Sequence, residues 1–249
     1  MMTRLFLPTL LLSGGLFACG DEMPSHTDYD DVAQTVSGLV FDEGGDAELA
    51  DDAAEASKGE LDGRFRADHQ GTHTGDRGTL GYTYDIECRT ARGEVIAPCD
   101  VRTRTASVAV RVEGELDTDR RQGALLRTAS WSLAWDGQTT VQIDGRASTD
   151  VASSFRALRR AETRHYMMTA EGTYSGLELD LSARRFVAGR IELSIDAERT
   201  RSTRFRDVEA SFTVDAVVEL TSDGPALITL DGERTYEADP VTGQVDPES

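Results

Sequence analysis

The chain has 249 residues, with 26 Lys and Arg against 45 Asp and Glu and a formal net charge of −19 at pH 7. So acidic a protein repels phosphate backbones and anionic headgroups, which disfavours nucleic-acid binding and peripheral basic docking on membranes. Lys58 is the only lysine; the arginine, alanine and glycine content reads as GC-rich coding rather than as a binding surface.

Arg4 gives residues 1–18 a short basic start, and the apolar run from Leu5 to Phe17 is too short for a spanning helix of ~20 residues. It ends in Leu16-Phe17-Ala18-Cys19, which resembles the lipobox of bacterial lipoproteins. The resemblance implies a signal peptide over 1–18, lipidation of the Cys19 thiol and attachment to a membrane through acyl chains. Two or three chains make a lasting anchor where a single one binds only marginally. In that family an aspartate at position two marks inner-membrane retention; here Gly20 holds that place and Asp21 the third, which points to the outer membrane.

Residues 19–62 read as a lipidated acidic tether. Between Asp21 and Asp62 stand 14 acidic side chains against Lys58 alone, while residues 63–235 come out near −3. Val32, Val36, Leu39 and Val40 recur at helical spacing behind Asp30-Asp31, whose charge suits a helix start, and Gly44-Gly45 ends the run. A second helix over about 46–57 has a face made mostly of alanine, so weak packing or fraying is expected, with Lys58-Gly59 as its stop.

From Leu80 the period becomes two. Leu80, Tyr82, Tyr84, Ile86 and Cys88 share one face; Ala106, Val108, Val110 and Val112 follow; then Leu125, Ala129, Trp131, Leu133 and Trp135. Asp136-Gly137 marks a hairpin into Thr139, Val141 and Ile143. Arg164, Tyr166, Met168, Ala170 and Tyr174 make the next face, and Ser175-Gly176 is expected to turn the chain into Leu177, Leu179 and Leu181. Ile191 to Ala197 and Val208 to Val218 add two strands, and Asp231-Gly232 closes a last hairpin. The expectation is a mainly β domain over 63–238, an antiparallel meander curling into a barrel or half-barrel covered by the first helix, with a frayed tail over 239–249. The long strands with one polar side are similar, at the level of fold alone, to the half-open barrels of periplasmic lipid carriers.

Cys88 and Cys99 are the even pair left after Cys19, which in an exported chain reads as a disulfide. His69 and His73 lie four apart but among Gly71, Gly75 and Gly78, so they read as loop histidines with no metal or other cofactor implied. Asp117-Thr118-Asp119 begins like a calcium loop and then runs into Arg120-Arg121. His26 and His165 lack a neighbouring serine or cysteine that would mark a triad, and Glu87 is one acid among many.

Three functions stay open. The first is a non-enzymatic envelope lipoprotein that binds a partner protein or serves structure. The second is a carrier of a hydrophobic ligand, with Tyr82, Tyr84, Trp131, Trp135, Tyr166 and Met168 either lining a pocket or forming core. The third is an envelope hydrolase built on carboxylates or on His69 and His73. The order of lipobox, acidic helical segment, cysteine pair and Asp-Gly hairpins is similar to that of uncharacterised acidic envelope lipoproteins of high-GC Gram-negative bacteria, a likeness that implies no activity.

Overall fold

The computed structural model describes residues 23–42, 44–60, 65–67, 71–117, 122–136, 139–157, 162–203 and 207–247. The lipobox and Cys19, His69, the Thr118-Asp119 pair and Gly137 lie outside the described residues. Among the described residues two helices, α1 (His26–Phe41) and α2 (Asp46–Lys58), precede thirteen strands. The strands are β1 (Phe65–Ala67), β2 (Thr72–Arg77), β3 (Leu80–Arg89), β4 (Val95–Ile96), β5 (Thr105–Asp117), β6 (Gln122–Trp135) and β7 (Thr140–Ala157). They continue as β8 (Glu162–Asp180), β9 (Arg185–Ser202), β10 (Asp207–Leu220), β11 (Ala226–Leu230), β12 (Arg234–Ala238) and β13 (Val245–Pro247).

All the strands belong to one antiparallel sheet in chain order, with β4 as a side branch on β3. The sheet is open. Among the described residues β1 and β13 are its two edges and do not pair with each other, so these strands form no closed barrel. Twelve strands at ~4.8 Å would span over 50 Å if flat, yet α2 touches β3, β5, β8 and β9 while α1 touches β11, β12 and β13. One face must therefore bend around the helical hairpin. Alternation supplies that face: Val108, Val110 and Val112 of β5 are buried, as are Trp131, Leu133 and Trp135 of β6, while their strand neighbours face solvent.

The first helix covers the sheet as expected, and the rest of the segment read as a tether lies inside the domain as well, from His26 onward. Ten of the 16 residues of α1 and ten of the 13 of α2 are buried. Alanine does not make α2 fray; it lets the helix lie close to the sheet, with Ala50 and Ala53 fully buried. Ser25 caps α1 in a reciprocal box with Asp28, and Gly59 ends α2 at φ +76°, a conformation that costs a Cβ-bearing residue dearly.

Three further expectations are corrected. Ser175-Gly176 does not turn the chain; β8 runs on to Asp180, absorbing the site as a bulge against β9 where Gly176 has φ +56° and Gly189 has φ +113°. The stretch around His73, expected to be a loop, is strand β2, whose polar sequence gave no alternation to read. The tail does not fray before Pro247: β13 pairs with β12, and the Gly243 carbonyl accepts hydrogen bonds from Gln34 and Ser37 of α1.

Candidate functional site

The inward face of the sheet carries arginines as well as hydrophobes, and the helices meet them with aspartates. Arg127 of β6 donates to Asp46, to the Tyr174 hydroxyl and, at 3.0 Å, to the Leu39 carbonyl. Arg164 of β8 holds Asp31 at 2.6 and 3.0 Å, and Arg199 of β9 holds Asp28. The Tyr166 hydroxyl sits between the last two acids, 2.8 Å from Asp28 and 2.9 Å from Asp31. At the other end of the hairpin Arg77 pairs with Glu48 and Asp52, and Tyr84 donates to Asp52 at 3.2 Å. Arg184, in the turn after β8, pairs with Asp51 and Glu55.

Burial sets the electrostatics of this layer. It is the largest influence on Asp31 and Asp46 and holds both carboxyls above the usual range, against the pull of Arg164 and Arg127. Burial also opposes the charge of Asp28, but the hydrogen bonds from Arg199, Ser25 and Tyr166 outweigh it and leave that carboxyl below the usual range. The Tyr166 and Tyr174 phenols are pushed far up by burial and by these acids, so both stay neutral donors. Around Arg127, Arg164 and Arg199 the layer is almost closed to solvent and matched charge for charge, by Asp46, Asp31 and Asp28. It fixes the hairpin's register on the sheet and has no open position for a substrate.

The six aromatic and methionine positions singled out in the sequence do converge on the concave face. They are covered by the hairpin: Tyr84 is wholly buried, Tyr166 and Tyr82 nearly so, and Trp131 packs edge-on against Tyr174 with ring centroids 6.0 Å apart. Trp135 lies under Lys58, whose ammonium is 4.4 Å from the ring centroid and donates to the Thr103 carbonyl at 2.6 Å.

Cys88 and Cys99 form a disulfide with Cα atoms 5.5 Å apart, tying β3 to the loop that precedes β5. The loop is also where α2 ends. A Cβ at Gly59 would stand 2.9 Å from the Cys99 carbonyl oxygen, so glycine is needed for the approach as well as for its φ.

His165 has a partner that local sequence could not show: Ser154, opposite it across the β7–β8 ladder, with Oγ 2.8 Å from Nδ1. The pair is exposed on the outward face. Among the described residues no acid orients the imidazole, so the pair is not a triad. No group of three or more His, Cys, Asp or Glu among the described residues is arranged to hold a metal ion.

Sequence reasoning overlooked Arg127 and Arg199 even though each occupies an inward position, Arg127 between Leu125 and Ala129, and Arg199 two beyond Ala197. A charge at core parity was the available signal. Several open depressions of about 520–710 Å³ mark the described surface, and two of them lie as follows. One, of about 560 Å³, lies at the rim between α2 and the turns that carry Arg77 and Arg184; the other, of about 620 Å³, crosses the outward face of β6 to β10. Compared with protein-family models, with curated proteins and with solved structures, the chain matches none of them.

Proposed function

We propose that this protein is a non-enzymatic, partner-binding β domain held on the bacterial outer membrane by acyl chains on Cys19. Support for the anchor comes from the sequence Leu16-Phe17-Ala18-Cys19, with Gly20 next. The observation that carries the functional reading is the filled concave face: the side that could enclose a substrate or a lipid is occupied by the chain's own hairpin, so recognition falls to the outward face and rim. In this reading the curved sheet is a half-barrel whose bore is plugged by α1 and α2.

The tether is then short. Only residues 20–24 separate Cys19 from the Ser25 cap, which at ~3.5 Å per residue places the start of α1 within about 20 Å of the anchor. The domain would ride close to the headgroups. Its acidic charge would keep it off them, leaving the acyl chains to do the membrane work.

The test is replacement of Cys19 by serine, followed by fractionation. Release of the chain into the soluble fraction is the expected result, and continued membrane attachment would overturn the anchor. A hydrophobic carrier would require the hairpin to leave the concave face, because Tyr84, Trp131 and Tyr166 are covered by it.

A further inference from the structure

Among the described residues, two of the large apolar side chains that stand exposed, Leu126 and Met167, share the trough on the outward face. The ladder fixes their surroundings. Leu126, Asp150, Thr169, Asp196 and Thr213 lie opposite one another in turn across β6 to β10, a row of about 19 Å at ~4.8 Å per strand. In the adjacent row Met167 lies between Ala152 and Glu198. Met167 is 64% exposed there.

The charges of the trough are one-sided. Asp150, Asp196 and Glu198 line it, and among the described residues no Lys, Arg or His does. Some acids elsewhere on this face are met by arginines: Arg111 pairs with Glu113, and Arg190 with both Glu192 and Glu219. Asp150 takes a 2.8 Å hydrogen bond from Thr169, whereas Asp196 and Glu198 have no ion pair among the described residues. They stand two apart on one strand and one face, about 7 Å from each other.

We infer that the trough docks a cationic segment of another polypeptide, setting an apolar side chain on Met167 and Leu126 and a basic one between Asp196 and Glu198. Methionine adapts to the shape of what it meets, and the carboxylates supply orientation and rate of encounter. An anionic lipid surface fits poorly, since the same carboxylates repel it. The inference rests on the partner-binding reading and is independent of the anchor at Cys19.

The experiment uses the purified full chain and two synthetic probes, a twelve-residue peptide alternating arginine and leucine and its counterpart with glutamine for arginine, followed by fluorescence anisotropy. The arginine probe is expected to bind, and to lose at least ~10-fold in affinity when salt shortens the Debye length from ~10 to ~3 Å. Asp196→Asn with Glu198→Gln should weaken it roughly 10-fold or more, and Met167→Ser roughly 5-fold. Glu192→Gln with Glu219→Gln, which removes acids already paired with Arg190, should change it by less than about 2-fold. Equal loss in both acidic pairs would reveal unspecific attraction and overturn the trough. So would equal binding of the glutamine probe, binding to neutral phosphatidylcholine vesicles that Met167→Ser abolishes, or self-association in sedimentation that the same change dissolves. A chain that binds the arginine probe regardless of Met167, Asp196 and Glu198 overturns the trough alone; one that binds neither probe overturns the partner-binding reading with it.

Discussion

Arg127 and Asp46 form an ion pair in which the two side chains are 2% and 1% exposed, joining the middle of the sheet to the first residue of α2. Such a pair contributes little net stability compared with well-packed hydrophobes, because both charges leave water. Removing one partner is another matter, since it strands the other group in a dry site. Replacing Arg127 by alanine should therefore cost about 3–5 kcal/mol in urea unfolding. Replacing the set together, as Arg127→Met with Asp46→Leu and Tyr174→Phe, should recover at least half of that loss. A single variant within about 0.5 kcal/mol of the parent would show that the pair does not hold the hairpin.

The aspartates also set the pH response. Asp31 and Asp46 have folded pKa values raised by burial. Between the unfolded value of ~3.9 and those raised values the folded state binds more protons, so this contribution to stability grows as pH falls and is lost as pH rises. Asp28 runs the other way: its lowered value gives stability that is present above ~3.9 and lost as pH drops through the folded value. Relief of repulsion in a chain of net charge −19 adds to the first effect. The melting temperature should therefore be higher near pH 5 than near pH 8, by at least ~2 °C, and fall again below ~4. A steady decline from pH 8 to pH 5 would contradict this balance.

The disulfide loop should act on the hairpin as well as on β3. Closing a loop of this size is worth ~3 kcal/mol in the chain-entropy account, and Cys99 lies against the Gly59 end of α2. Replacing Cys88 and Cys99 by serine should lower stability by about that amount. Hydrogen exchange should show α2 amides near Ser57 losing protection before those of β9. Equal loss of protection across both elements would show that the staple serves the sheet alone.

Much of this architecture was legible before the structure. Alternation located the inward faces of β3, β5, β6 and β10 to within a few residues, because one face is buried and the other wet. It was silent on β2, where Thr72 to Arg77 has no apolar face, and it misread Ser175-Gly176, whose residues suit a bulge as well as a turn. The larger miss was the acidic segment. Asp28, Asp31, Asp46 and Asp52 look like solvated charge when read along their own helices, and only the arginines and tyrosines of distant strands make their burial tolerable. The trough holding Met167 was hidden for a related reason: its residues come from five strands, and their meeting depends on register.

The filled concave face makes a last prediction about hydrophobic ligands. Trp131 and Trp135 are 4% and 8% exposed, one packed on Tyr174 and the other under Lys58, so native fluorescence should be blue-shifted and resistant to quenching by acrylamide. Adding a long-chain fatty acid or phospholipid should leave that emission unchanged, because the rings are buried and already packed on Tyr174 and beneath Lys58. Native mass spectra of the non-acylated Cys19→Ser chain should accordingly show only the mass of the polypeptide. A co-purified lipid, together with a tryptophan shift on its removal, would mean that α1 and α2 yield the concave face to a ligand. The carrier reading would then replace the outward-facing one. Disabling the ion pairs should sharpen the contrast: Arg164→Ala loosens α1 at Asp31, and if the hairpin is a fixed plug this variant loses stability without gaining lipid.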